Sequence, residues 1–219
     1  MIGYNPSIVT TNMILCADAG NPRSYPGSGT TWYDASGSDN TGALISSPAY
    51  TSGTSGYFTF DGGTMYVNIK SNASILSSTN YTKIAWFYPT SFSTNNNIIS
   101  GGNTGQHAFW LAGGNKLNAG HNGLWSTVVT STTLLLNTWY CGAVTFNTTT
   151  GWSLYLNGVL ENTNASTTTF IGTGDISLAA YGGGNFFTGR LACNLVYNRV
   201  LSATEILQNF NALRGRYGI

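Results

Sequence analysis

Glu161 and Glu205 are the only glutamates in the chain, and they set the first chemical question. Cleavage of a glycosidic bond needs two carboxyl groups about 5–9.5 Å apart across the scissile bond. Glu205 is accounted for by a helix cap described below, Glu161 stands alone after a hairpin, and Asp18, Asp34, Asp39, Asp61 and Asp175 are scattered. No carboxylate pair can be read from the spacing, so the expectation is a protein that is not an enzyme, with no catalytic residues. His107 and His121 have no Cys or Asp at ligand spacing, and no serine sits in a nucleophile elbow. Gly182-Gly183-Gly184 lacks the lysine and following helix of a phosphate loop and reads as a turn. No cofactor is expected. Calcium wants six to eight oxygen ligands, and the dispersed aspartates show no such set.

Recognition of a sugar asks for less. Aromatic faces stack on the ring, while amides and hydroxyls hydrogen-bond its hydroxyl groups. The candidate patch combines His107, Trp110, His121, Asn122 and Trp125 from one Gly/Asn-rich stretch with Tyr181 and Asn185 from another. The competing assignment puts Trp110 and Trp125 in the apolar core, where large aromatics usually belong. Trp86, Trp139 and Trp152 sit inside strand-like runs and are core candidates. Asp18, Arg190 and Arg199 are embedded among apolar residues, where a charge is costly unless paired. Asp18 is expected to pair with an arginine.

These side chains need a scaffold, and the hydrophobic period supplies one. Short or alternating apolar runs at 13–18, 57–60, 65–69, 82–89, 107–112, 139–147, 152–157, 176–181 and 190–197 have the strand period of two. Asn157-Gly158 between two apolar runs predicts a tight hairpin. Ser202-Ala203-Thr204-Glu205 predicts a capping box opening one amphipathic helix over about 203–213. Residues 19–56, punctuated by glycine and proline, are expected to wrap one end of the sheets. The whole reads as all-β: one domain over 1–219, an antiparallel two-sheet jelly-roll sandwich with one short C-terminal helix.

Composition agrees with strands and turns. Gly, Ser, Thr and Asn make up 104 of 219 residues, and charged residues only 7 %. A net charge of +1 argues against nucleic acid as a partner. No apolar stretch approaches the length of a membrane span, and the N-terminus shows no signal-peptide pattern. Asn72, Asn80, Asn147 and Asn164 lie in glycosylation sequons of the kind such a composition generates by chance. Cys16, Cys141 and Cys193 are too few and too far apart for a disulfide framework or zinc site, and read as buried small residues.

The segments FTFDG at 58–62, AWFYPT at 85–90, WYCGAVTF at 139–146, LYLNG at 154–158, FTGRL at 187–191 and VYNRVLSATEI at 196–206 resemble, in order, the laminin-G-like jelly rolls of the concanavalin A-like lectin and glucanase superfamily. The opening ADAGNPRSYPGSGTTWYD at 17–34 and the ending QNFNALRGRYGI at 208–219 are similar to a subset found in tailed-bacteriophage structural proteins. Two departures stand out. Many relatives continue Asp61-Gly62 with asparagine and aspartate, whereas Gly63-Thr64 follow here, and the glutamate-x-aspartate-x-x-glutamate pattern of the family's glucanases is absent.

The resemblance implies a virion protein made in the host cytoplasm, and the expected role is capsid decoration or a head fibre. Its partners would be other virion proteins, such as the major capsid protein or tail proteins, with Tyr4 and Tyr217 as anchors and a homo-oligomer, a trimer by analogy, as the assembly. The alternative is a lectin-like adhesin on tail or capsid that recognises host surface glycans.

Overall fold

Nine strands and one helix are foreseen from the sequence, and the described residues form seventeen strands and one helix. A computed structural model describes residues 6–69, 79–92, 96–101, 107–169 and 175–219. The strands are β1 (Met13–Asp18), β2 (Thr31–Trp32), β3 (Gly42–Ile45), β4 (Ala49–Thr51), β5 (Tyr57–Asp61), β6 (Tyr66–Ile69), β7 (Tyr81–Pro89), β8 (Asn96–Asn97), β9 (Ile99–Gly101), β10 (His107–Ala112), β11 (Lys116–His121), β12 (Leu124–Val129), β13 (Tyr140–Asn147), β14 (Gly151–Leu156), β15 (Val159–Asn164), β16 (Ile176–Leu178) and β17 (Thr188–Tyr197). One helix, α1 (Ala203–Tyr217), follows.

The back sheet runs β15-β14-β13-β7-β17-β5-β4, and β1 pairs with the second half of β17. The front layer runs β2-β3-β6-β16-β9 and β12-β11-β10-β8. Ile98 joins its two parts: its N–H donates to the Phe109 carbonyl, and its own carbonyl accepts from Ala179 N–H. All the described pairings are antiparallel. This is the jelly-roll sandwich that the apolar spacing predicts.

Period-two alternation fills two cores. On β7, Tyr81, Ala85 and Phe87 point between the sheets, while Ile84 and Trp86 point to the opposite face, which α1 covers. A strand buried on both faces shows no polar alternation, which is why β7 is apolar almost throughout. Trp86 lies against Phe210 at 5.7 Å and Tyr217 at 4.7 Å between ring centroids. Burying an indole of this size is worth about 4–6 kcal/mol, so the helix is a structural lid on the back sheet.

The helix starts where the sequence places it. Ser202 accepts from Glu205 N–H, and the Glu205 side chain accepts from Ser202 N–H, closing the capping box. It runs to Tyr217 rather than 213. Arg214, Gly215 and Arg216 interrupt the apolar pattern, yet Ile206, Phe210, Leu213 and Tyr217 continue one stripe. Arg216 is held there by Asp18, with contacts of 2.8 and 2.7 Å from its two terminal nitrogens to the two carboxylate oxygens. Asp18 therefore pairs with an arginine, as expected. Arg199 pairs instead with Glu205, and Arg190 stacks over Tyr57 and Tyr88.

Residues 19–56 do more than wrap an end: β2 and β3 extend the front layer and β4 edges the back sheet. Asp34 organises the turn between β2 and β3, accepting from the N–H groups of Cys16, Ser36 and Asn40. The hairpin at Asn157-Gly158 forms as predicted, with φ of 51° and 79°, the left-handed pair of a type I′ turn. Cys16, Cys141 and Cys193 are free and buried.

Candidate functional site

The outer face of the front layer carries the patch. On β10, Phe109 and Leu111 point into the core, so Ala108 and Trp110 point outward. Trp110 lies opposite Asn97 of β8 and Asn118 of β11. Its indole N–H donates to the Trp125 carbonyl at 2.8 Å, which fixes the ring as a platform. Trp125 meets Tyr181 edge-on, with centroids 5.5 Å apart.

Two turns hold these aromatics. Asn122 and Gly123, with φ of 56° and 79°, make the tight β11–β12 hairpin. Gly120 lets the chain cross there, because a Cβ on it would lie 1.8 Å from the Leu124 carbonyl oxygen. Across the groove, Tyr181 and Gly184 exchange two backbone hydrogen bonds of 2.8 and 2.9 Å around Gly182-Gly183. The Asn185 carbonyl then accepts from the Asn97 backbone and side chain at 3.3 and 3.2 Å, pinning that turn to β8.

Together these residues line a cavity of about 140 Å³ formed by Asn97, Ala108, Trp110, Trp125, Tyr181 and Asn185. A broader trough of about 640 Å³ shares Trp110 and Trp125 and continues over Gly123, Leu124, Ser126, Thr127, Asn164 and Ser166. Apart from the Tyr181 phenol, none of these lining residues is ionisable. Amides, hydroxyls and indole faces are the chemistry on offer, and such a surface stacks and hydrogen-bonds neutral polar rings.

Four residues of the sequence-based patch, Trp110, Trp125, Tyr181 and Asn185, thus line one cavity, and both tryptophans are partly exposed rather than core. Asn122 is an exposed turn residue whose left-handed φ serves the hairpin. The two histidines are elsewhere. His107 and His121 face each other between the sheets, with ring centroids 5.4 Å apart and both side chains buried. His121 Nε2 lies 2.6 Å from the Thr168 carbonyl, which can only accept, so Nε2 carries the proton. Nδ1 is then the acceptor for the Tyr81 hydroxyl at 3.2 Å. Burial holds the His121 pKa below the ordinary value, against the opposing pull of the Thr168 carbonyl. Residues 107 and 110 differ by an odd number, so one strand cannot present both on one face.

Three other titratable groups are engaged by the scaffold. Lys83 lies fully buried on β7, its Nζ 3.4 Å from the Ile99 carbonyl, and burial lowers its pKa to about 7. The sequence reading did not single it out. Glu161 on β15 accepts from Ser131 Oγ, Thr132 N–H and Thr132 Oγ1 at 2.6–2.9 Å. Burial raises its pKa, but these hydrogen bonds outweigh it and leave the carboxyl below its usual range. Glu205 is lowered to about 2, chiefly by its hydrogen bonds from Arg199. Among the described residues, no three His, Cys, Asp or Glu side chains gather as a metal site.

Tyr217, expected as a surface anchor, is instead buried against Trp86 and Trp139, each at 4.7 Å. Its apolar ring completes the helix stripe, and that decides its place. Tyr4 lies outside the described residues.

Several solved structures share the fold. Domain 4 of the GH43 extracellular arabinanase AbnA from Geobacillus stearothermophilus, in complex with arabinotriose, aligns with a TM-score of 0.70 at 15 % identity, over 90 % of this chain and 98 % of that one. The binding domain of Paraclostridial Mosquitocidal Protein 1 aligns at 0.72 and 17 %, over 93 % of this chain and 52 % of that one. Trypanosoma rangeli sialidase aligns at 0.72 and 11 %, over 95 % of this chain and 34 % of that one. The chain therefore spans about half of the second structure and a third of the third. No curated protein matches it.

These neighbours overturn one expectation. The exclusion of enzyme activity from scarce glutamates does not stand, since an arabinanase and a sialidase both contain this fold. At such identities the likeness is one of fold, and no activity passes across with it. The family model for Laminin_G_3, the concanavalin A-like lectin/glucanases superfamily, matches residues 61–207, about two thirds of the length, and the chain belongs to that family.

Proposed function

We propose that the protein binds carbohydrate on the outer face of its front layer, with Trp110 and Trp125 as stacking platforms and neighbouring amides and hydroxyls as hydrogen-bonding partners. The observation that carries this is the convergence of two partly exposed indoles, that of Trp110 fastened through its N–H and that of Trp125 set edge-on to Tyr181, in a groove lined by asparagine, serine and threonine. A platform already rigid before binding loses little conformational freedom on stacking. The arabinotriose complex of a structural neighbour supports a sugar as the ligand class, as does the concanavalin A-like fold. The test is retention on a panel of immobilised neutral glycans, repeated with Trp110→Ala and Trp125→Ala. Loss of one stacked ring is expected to cost about 1–2 kcal/mol, or roughly tenfold in affinity.

A second reading is that of a bacteriophage structural protein docking on other virion proteins. It is supported by the resemblance of residues 17–34 and 208–219, and by the exposed apolar side chains Val159, Leu160 and Leu207 on β15 and α1. Against it, Asp18 and Arg216 of these segments are spent on an internal clamp and Tyr217 is buried. Quantitative mass spectrometry of purified particles tests it: a fixed copy number per particle supports the reading, and absence from particles removes it.

A further inference from the structure

Resting on the carbohydrate-binding proposal above, the geometry points to recognition of a chain end: we infer that the cavity takes one terminal, uncharged sugar ring, while the trough carries the residues that precede it. Size comes first. A cavity of about 150 Å³ holds a single benzene ring, and the pocket behind Trp125 measures about 140 Å³. A sugar ring is larger than benzene, so at most one can enter. The trough, at about 640 Å³, has room for several.

Walls come second. The pocket meets the trough at Trp110 and Trp125, the residues lining both. The Tyr181–Asn185 turn lines the pocket but not the trough. That turn is tied by the paired Tyr181–Gly184 hydrogen bonds and by the two from Asn97 to the Asn185 carbonyl. A chain arriving along the trough ends against it. Trp110 and Trp125 are then shared between the end ring and the chain that precedes it.

Charge comes third. A carboxylate on the terminal ring would lose water and find no cation among the described lining residues, which is costly. Uronic and sialic acid ends are therefore excluded, and neutral sugars are admitted. Asn185, an exposed residue whose side-chain amide makes no hydrogen bond within the described chain, is placed to read ring hydroxyls. It sets specificity for the end residue.

The experiment uses the full chain and linear hexaoses of glucose, mannose, galactose, xylose and arabinose, with calorimetry on any that bind. Ala108, on the pocket floor but absent from the trough, is replaced by phenylalanine to fill the cavity. The inference expects the free monosaccharide of the bound hexaose to compete in the wild type. It expects Ala108→Phe to abolish that competition and weaken hexaose binding at least about tenfold. Asn185→Ala, which removes only an exposed side chain, is expected to weaken both in parallel and stands in if Ala108→Phe does not fold. A hexaose that binds equally well to wild type and both variants overturns chain-end recognition and leaves the carbohydrate proposal intact. Failure of all five hexaoses to bind the wild type, with none of the immobilised polysaccharides retained either, overturns both.

Discussion

Replacing Lys83 by methionine should stabilise the protein, and by an amount that depends on pH. Lys83 sits between the sheets with its Nζ on the Ile99 carbonyl, and burial moves its pKa from an ordinary 10.5 to about 7. The folded chain therefore sheds this proton more readily than the unfolded chain. Between pH 7 and 10.5 the unfolded state binds more protons, so stability rises with pH across that window. Below pH 7 both states are protonated and the cost is complete. A gap of about 3.5 pH units at 1.36 kcal/mol each gives roughly 5 kcal/mol below pH 6 and about 4 kcal/mol at pH 7, as a ceiling. Methionine keeps the length and apolar stem and removes the charge. Urea unfolding of both proteins at pH 6, 7, 8, 9 and 10 isolates the term, since the other titrating groups cancel in the difference. The variant should be more stable by several kcal/mol at pH 6, converging on the wild type near pH 10.5. A pH-independent difference, or a variant less stable at pH 6, would show that the ammonium is well paired and would refute the reasoning.

Other changes have defined outcomes. Asp18→Asn should cost about 3–5 kcal/mol in chemical denaturation, because the Arg216 guanidinium is left in a mostly enclosed site without its counter-charge. The capping carboxylate of Glu205, lowered to about 2, stabilises the native state above its ordinary pKa near 4.5, and this contribution should fade as pH falls from 4.5 through 2. Thermal melts of wild type and Glu205→Gln should accordingly converge at pH 2, with a difference of about 1 kcal/mol at pH 6. Gly120→Ala should push the β11–β12 hairpin apart, since its Cβ would meet the Leu124 carbonyl. Near-ultraviolet circular dichroism should report a changed Trp125 environment, and glycan retention should fall with it.

Much of the scaffold was legible because period two is a strong signal. The limits of β1 and β10 match the sequence reading residue for residue, and Asn157-Gly158 and Ser202–Glu205 form the turn and cap that their chemistry demands. The same turn rule applied to Asn122-Gly123 would have revealed the β11–β12 hairpin, and the strand period applied to residues 107 and 110 would have separated His107 from Trp110, whereas the place of His121 follows from the register of β11 on β10. What stayed hidden was non-local. Asp18 meets Arg216 across 198 positions, and no spacing rule chooses it over Arg190 or Arg199. Lys83 drew no attention in the sequence, because nothing local shows that β7 lies inside the sheet with no wet face. The short strands β2, β3 and β4 are two to four residues long between turn residues, too short for a period of two to show, and only their pairing with β3, β6 and β5 makes them strands. The site itself was half legible: its aromatics and amides were chosen by type, but which of them share a face was decided by register.

The most direct measurement of the central claim is affinity electrophoresis of the wild type, Trp110→Ala and Trp125→Ala through gels containing neutral polysaccharides built from the five sugars named above. At least one polysaccharide should retard the wild type, and each substitution should reduce that retardation by an amount matching a roughly tenfold weaker affinity, in a protein that still unfolds cooperatively. Equal retardation of all three proteins, or free migration of the wild type in every gel, would contradict the assignment of this groove as a sugar site.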